Sequence, residues 1–552
     1  VDGGAKTGAN GGGILAPLGV ATFRRVWLAS LLSNFGQLIL GVGAAWEMTR
    51  LSPSPTMVAL VQSALMLPLM VIAVPAGAIA DMFDRRKVAL AGLGFAICAS
   101  ALLTSVSLLG LTTPWLLLGF SSLIGAGVAL YGPAWQATLP ELVDPPRLPA
   151  AVALGTISYN IARSVGPAIG GVIVMALGAG AAFGLNMVCY VPLFLSFLLW
   201  QRLAAPSALP PERLDRAVVS GIRYVLYSHA IRRVYGRAFL FGMAGAAALA
   251  LAPLIARDLL GGDAAAFGLL LGASGIGAVT GALLVARVQR SLSVEAAVRL
   301  CALVSLLALS LTGFSRHLAL SCLALFLIGA ANIMTIALLN VTVQFAAPRW
   351  VTGRALSLFQ CALTGGIAIG AGLWGAVAGR YGVDAALYAS ASFMLLLPLL
   401  GLLFPLIRND YADLSPVDIR NEPEVRLELG LRSGPVVLEL DYRVPVDRAA
   451  DFYDAMLKLA HVRLRNGGFD WSLARDIGDP EIWTERYHCP TWGDYLRLRA
   501  RFTQADVAAQ RAADAFTLPL DRPRVRRRLE QPFGSIRRRP VPEPPPAESF
   551  GP

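Results

Sequence analysis

Runs of about 20 apolar residues, each long enough to cross a bilayer as a helix, recur through the first 407 residues between short polar breaks. They predict helices near 26–49, 57–80, 88–110, 114–137, 150–177 and 181–203. A second set follows near 234–258, 264–288, 295–315, 318–346, 354–379 and 384–407. The stretch between the sets is polar, with Pro206, Pro210 and Pro211, then Arg213, Arg216, Arg223, Arg232 and Arg233. The pattern reads as an all-α polytopic membrane protein of twelve transmembrane helices. Six lie in 23–203 and six in 234–407, joined by a cytoplasmic central loop at 204–233. Residues 1–22 are Gly-rich and lack the order of a secretory signal peptide, so a disordered lead is expected there.

The two halves repeat. Residues 123–183 align without a gap with 327–387, 204 positions on. Leu123-Ile124-Gly125-Ala126 meets Leu327-Ile328-Gly329-Ala330, Gly166 meets Gly370, Gly171 meets Gly375, and Gly178 meets Gly382. Matched glycines imply matched close helix approaches. A parallel repeat of six helices implies a midplane cavity between halves, as alternating access requires.

Beyond Arg408 the apolar runs stop. Residues 408–432 read as a charged linker and 433–519 as a small soluble α+β domain, ferredoxin-like and cytoplasmic. Its expected order is a strand at 436–444, a helix at 446–462, a turn at Asn466-Gly467-Gly468, strands near 469–475 and 482–488, then two helices. The tail, 520–552, contains Arg526-Arg527-Arg528, Arg537-Arg538-Arg539 and Pro544-Pro545-Pro546 and is expected to be disordered.

Composition sharpens this. The 552 residues are 56% hydrophobic and 15% charged, against about 25% charged in a soluble domain. Mean hydropathy is +0.61. A net charge of +12 invites a nucleic-acid reading, but the basic residues sit in alternate loops and the tail, which is the distribution of membrane orientation. It places both termini in the cytoplasm and excludes a nucleic-acid partner. The six cysteines show neither metal-ligand nor disulfide spacing. No phosphate-cradling loop is present, which argues against ATP-driven transport within this chain.

Candidate chemistry is sparse. The loop after the second helix carries Gly77, Asp81, Asp84, Arg85, Arg86 and Lys87. An acid at a helix boundary beside a basic cluster can latch one conformation and release in another. In the fifth helix Tyr159, Asn160 and Arg163 precede Gly166-Pro167 and Gly170-Gly171. An arginine inside an apolar helix needs a partner, water or a ligand. Asn34, Gln37, Gln62, Tyr131, Gln136, Asn160, Asn332, Asn340, Gln344 and Gln360 are polar residues that could line a cavity for a neutral or amphipathic organic molecule, or serve as interhelical glue. Trp135 could add an aromatic wall. Glu47 is an acid within the first apolar segment, either solvated at the interface or a carrier for proton coupling. No cofactor or metal site is expected, with a proton gradient the candidate energy source.

The segment from Gly77 to Lys87 resembles the signature loop of the major facilitator superfamily, with Met82 where Arg is usual and Asp84 where Gly is commonest. Phe23-Arg24-Arg25-Val26-Trp27, Ser33-Asn34-Phe35-Gly36, Ala45-Trp46-Glu47-Met48-Thr49 and Gly132-Pro133-Ala134-Trp135-Gln136 are similar to its transmembrane secretion effector branch, which includes enterobactin-exporter-like proteins. So are Ser164-Val165-Gly166-Pro167 and, in the soluble domain, Arg463-Leu464-Arg465-Asn466-Gly467-Gly468 and Trp471. The resemblance implies a secondary-active exporter of a small organic compound in the inner membrane, such as a siderophore, drug or secondary metabolite, and no enzyme activity. Ser122 stands where exporters of the superfamily often carry an arginine before Gly-x-Gly. The soluble domain also resembles dimeric α+β barrels of cofactor-free monooxygenases, with Trp471, Trp483, Trp492 and Asn466 as pocket candidates. That leaves two alternatives: an anchored module whose C-terminal domain binds or oxidises a small molecule, or an importer of the same fold. Self-association through this domain is a further expectation.

Overall fold

The computed structural model describes residues 15–144, 147–200, 222–348, 351–406, 417, 425–427, 429–517 and 524–530. The chain divides into two units, residues 1–411 and 412–552.

Among the described residues of the first unit, twelve helical spans are long and apolar enough to cross a membrane. They are α1 (Ala21–Leu51), α2 (Pro55–Met82), α3 (Arg85–Leu108), α4 (Pro114–Leu142), α5 (Leu148–Leu177) and α6 (Ala179–Leu198), then α7 (His229–Ala250), which runs on through Ala252–Leu254 and a π turn at Ile255–Leu259. The second half continues with α8 (Ala264–Ser291), α9 (Val294–Phe314), α10 (Leu318–Ala346), α11 (Thr352–Tyr381) and α12 (Val383–Met394, continued as Leu396–Leu403). Helix starts follow local chemistry. The Asp263 carboxylate accepts from the amides of Ala265 and Ala266, Asp84 accepts from Arg86 N, and Pro55 and Pro114 occupy the first turns of α2 and α4, where their missing N–H is no loss. The outward faces carry exposed Leu102, Leu108, Val172, Leu283, Leu307 and Leu402, a surface suited to lipid.

The repeat is built as expected. Gly178 (φ 81°) joins α5 to α6 and Gly382 (φ 95°) joins α11 to α12, both in the left-handed region that favours glycine. Gly166 faces Leu38 of α1 while Gly370 faces Met243 of α7. Likewise, Gly171 faces α8 while Gly375 faces α2. With an even number of spans, the start of α1 and the end of α12 lie at one end of the bundle, here the terminal end; the other is the far end.

The second unit contains β1 (Val436–Arg443), α13 (Ala449–Asn466), β2 (Phe469–Arg475), β3 (Ile482–Cys489), α14 (Trp492–Ala500), α15 (Gln504–Asp514) and β4 (Arg524–Leu529). The strands form an antiparallel sheet in the order β2-β3-β1-β4, the split βαβ arrangement of ferredoxin-like domains. Phe452, Met456, Leu459, Tyr442 and Tyr487 fill the core against the helices. Here the sequence expectation needs correction: a domain ending at 519 and a disordered tail from 520 miss β4. Arg526 pairs with Asp441 and Arg528 with Glu439 across the β1–β4 ladder. Burial could not reveal this strand, because Val525 and Leu529 are exposed and its pairing depends on the open edge of β1. The rest of the tail, 531–552, lies outside the described residues, as do 1–14 and most of 408–424.

Candidate functional site

The halves of the first unit meet at the far end. Trp46 of α1 stacks on Phe267 of α8 with centroids 6.2 Å apart. Arg257 donates to Thr49 O (3.1 Å), Thr56 Oγ1 to Gly375 O (3.1 Å), and Ser63 Oγ to Ala368 O (2.7 Å). Between α5 and α8 the backbones touch. A Cβ at Gly171 would lie 2.6 Å from Ala264 O, and one at Gly275 would lie 2.5 Å from Ser164 Cα. Past Gly275 the helices part: Thr156 and Tyr159 on α5 and Ala282 and Ala286 on α8 are exposed. At the terminal end Arg85 pairs with Glu141 inside the first half and Arg237 with Glu295 inside the second. The geometry is a cleft closed at the far end and open at the terminal end.

Arg163 stands at the apex of that cleft. Val152, Thr156, Tyr159 and Arg163 share one face of α5, opposite the exposed stripe of Ile157, Ile161, Val165, Ile169 and Val172. Pro167 cannot donate to the Arg163 carbonyl four residues back, and that carbonyl lies against Gly275. Gly166 and Gly170 let α1 approach, at Leu38 and at Ile39 and Val42. The side chain of Arg163 is half-buried and makes no hydrogen bond or ion pair among the described residues. Among the described transmembrane spans, with α7 taken through its continuation to Leu259, it is the only Asp, Glu, Lys, Arg or His in the middle third. One turn away, Asn160 Nδ2 donates to Thr156 O (3.0 Å), and its Oδ1 is buried without a partner.

The other cavity candidates divide. Gln37 and Gln62 are half-buried and Gln136 and Gln360 exposed, with no side-chain hydrogen bond among the described residues. Asn34 instead donates to Ser158 Oγ (3.2 Å), tying α1 to α5, and Asn340 accepts from Gln344 (2.6 Å). Asn332 lines a recess inside the second half with Phe241, Ser274 and Ser305. Tyr131 and Trp135 pack edge-on to Phe197, which makes them core of the first half. Glu47 pairs with Arg50 (3.3 Å) in the last turns of α1, near the far end and away from Arg163.

The basic cluster after α2 knits helix ends within the first half. Asp84 caps α3, Arg85 pairs with Glu141 at 2.8 Å, and Arg86 donates to Phe197 O (3.0 Å) and Leu198 O (2.6 Å) at the end of α6. The side chains of Gly77 and Asp81, in α2, lie outside the described residues. Sequence reasoning missed the counterpart in the second half. Glu295 accepts from Arg237 (2.5 Å), Arg299 (2.7 Å) and Leu406 N (2.8 Å), while Arg237 donates to Phe404 O (2.8 Å) at the end of α12. The signal was present: Arg237 interrupts an apolar span, and Glu295 and Arg299 are four apart.

The second unit has its own buried network. Glu485, fully buried, accepts two hydrogen bonds from Arg463 (3.0 and 3.2 Å), one from Tyr442 (3.0 Å) and one from Trp471 Nε1 (2.9 Å). Burial alone would lower the Arg463 pKa, but the Glu485 charge prevails and holds it well above its usual value. Burial, reinforced by Glu485, raises that of Tyr442. The expected pocket tryptophans are otherwise engaged: Trp471 holds Glu485, Trp483 packs on Phe452 at 5.8 Å, and Trp492 lies 5.2 Å from Tyr495. Asn466 donates to Asp506 (3.1 Å).

A family model described as transmembrane secretion effector matches residues 12–533, spanning both units. The enterobactin exporter EntS of Escherichia coli O1:K1 / APEC is 29% identical over 391 residues, covering 69% of this chain and 91% of that protein. The same figures hold for EntS of Shigella boydii serotype 18 (strain CDC 3083-94 / BS512). Among solved structures, a bacterial homolog of the human lysosomal transporter Spinster, inward-facing and unoccupied, superposes with a TM-score of 0.57 at 11% identity, over 72% of this chain and 97% of that one. The nucleoside transporter NupG superposes at 0.54 and 12%, over 69% and 98%. At these identities the superpositions speak to the fold alone.

Proposed function

The chain belongs to the transmembrane secretion effector family of major facilitator transporters, multi-pass proteins of the inner membrane, and from that premise we propose that it is a secondary-active exporter of a small organic anion. The observation that carries the reading is Arg163. A guanidinium at the middle of a span is expensive unless something compensates it, and here no protein group does so among the described residues. A carboxylate or similar oxyanion entering the cleft supplies that compensation, and the guanidinium fork binds it in two-point fashion. Exposed Tyr159 and half-buried Gln37 and Gln62 suit the apolar and hydroxylated remainder of such a molecule.

The basic loops put both termini in the cytoplasm, so the cleft opens to the side from which an exporter loads. Export is also the activity in the names of the 29%-identical relatives. Counterflow in proteoliposomes tests the reading, using a panel of organic acids and their uncharged amides. Acids should be exchanged and amides not, and Arg163→Gln should abolish the preference. Equal handling of acid and amide by the unaltered protein removes the anion assignment.

A further inference from the structure

Resting on the assignment of Arg163 as the anion's anchor, we infer that this guanidinium is also a gate: the carrier reorients readily only when an anion neutralises it, so the protein runs as an anion exchanger rather than as a proton-driven pump. The cleft open at the terminal end keeps Arg163 in contact with water. To alternate, α5 and α8 must close below Gly275, bringing Thr156 and Tyr159 against Ala282 and Ala286, and must part above it. In between, Arg163 is shut away from both aqueous sides. An uncompensated charge in that position opposes closure, and a bound anion removes the opposition. No protein carboxylate can do the same. Every acid among the described residues of the first unit lies in a loop or near a helix end, with Glu47 held by Arg50 and Glu295 by Arg237 and Arg299. His229 and His317 also lie at helix ends. The described spans therefore offer no carboxylate or imidazole at their middle to carry a proton in place of the anion, and the empty carrier is held back from returning.

The test places spin labels at positions 156 and 286 of the full chain with its native cysteines replaced, and measures their separation in lipid nanodiscs. The ligands are 2-naphthoate and its neutral amide. Without ligand, the parent should hold the long separation only. 2-Naphthoate should bring in a short separation and the amide should not. Arg163→Gln should show the short separation without ligand and ignore both compounds. Arg163→Lys keeps the charge and should stay gated, closing only at higher naphthoate concentration. In proteoliposomes, naphthoate exchange by the parent should exceed net efflux at least tenfold, with the ratio falling toward one in Arg163→Gln. A ligand-free parent that closes as readily as Arg163→Gln overturns the gate. Should naphthoate binding to that parent still weaken in Arg163→Gln, the anion reading survives that result. Naphthoate that leaves the parent unmoved, or binds Arg163→Gln unchanged, counts against the anion reading itself.

Discussion

A guanidinium can be structural or functional, and the chain sets a structural one, Arg463, against Arg163, proposed above as functional. Arg463 is structural: it is enclosed by Glu485, Gln510, Tyr487 and Phe502, and the Glu485 carboxylate accepts from it twice. Replacing Glu485 with Gln leaves that charge buried and uncompensated, which should destabilise the soluble domain by about 3–5 kcal/mol, read as the loss of its melting transition in the full chain. Arg163 is the converse case. Arg163→Lys keeps the charge but loses the planar fork, so apparent affinity for an organic acid should fall about tenfold (~1.4 kcal/mol) while the melting of the transmembrane unit stays put. A drop in melting with affinity intact would make the side chain structural. Asp514 gives a pH signature. Burial raises its pKa despite the hydrogen bond from Gln510. A carboxyl whose folded pKa lies above its unfolded one weakens the fold as pH rises from the unfolded value through the folded one. Asp514→Asn should therefore raise the domain's melting temperature modestly at neutral pH, and the gain should vanish at pH low enough to protonate the carboxyl in both states.

At the scale of elements, glycines do two jobs that look alike in sequence. Gly277 lies against the backbone of Phe326 within the second half, whereas Gly171 lies against Ala264 and Gly268 across the halves. Overpacking either costs roughly 1–3 kcal/mol, but the consequences should differ. Gly277→Ala should lower thermal stability. Gly171→Leu should relieve its cost by opening the far end rather than by unfolding, raising labelling of a cysteine placed at Ala264, which is buried in the closed arrangement, severalfold. The repeat alignment paired Gly171 with Gly375 correctly, yet nothing in a pairing says whether the neighbour belongs to the same half. Strand β4 makes the same point. Arg524 to Arg528 read as part of a basic tail, and only the free edge of β1, with Asp441 and Glu439 in register, turns them into a strand. A chain ending at 519 should therefore show a lower soluble-domain melting point than one ending at 531. The difference should be several degrees if the strand contributes about 1 kcal/mol.

For the molecule as a whole, the EntS relatives align with 69% of this chain while 91% of their own length is covered, a share close to that of the transmembrane unit. Transport should accordingly survive truncation after residue 411, measured as naphthoate exchange at matched insertion; complete loss would give the soluble domain a direct part in the cycle. Sequence alone determined the twelve spans, the duplicated halves and the basic-loop asymmetry. These are local properties: a segment enters lipid on the strength of its own residues and its own backbone hydrogen bonds. It also singled out Arg163, because a charge amid apolar neighbours is visible in one dimension. Only the tertiary structure decided that Arg163 sits where α5 and α8 part, that no protein group pairs with it among the described residues, that Glu295 gathers Arg237 and Arg299 at the end of α12, and that the far end is the closed one. Each of these rests on contacts between residues tens to hundreds of positions apart. Their free energies come into being only when helices that are already stable in the membrane pack against one another.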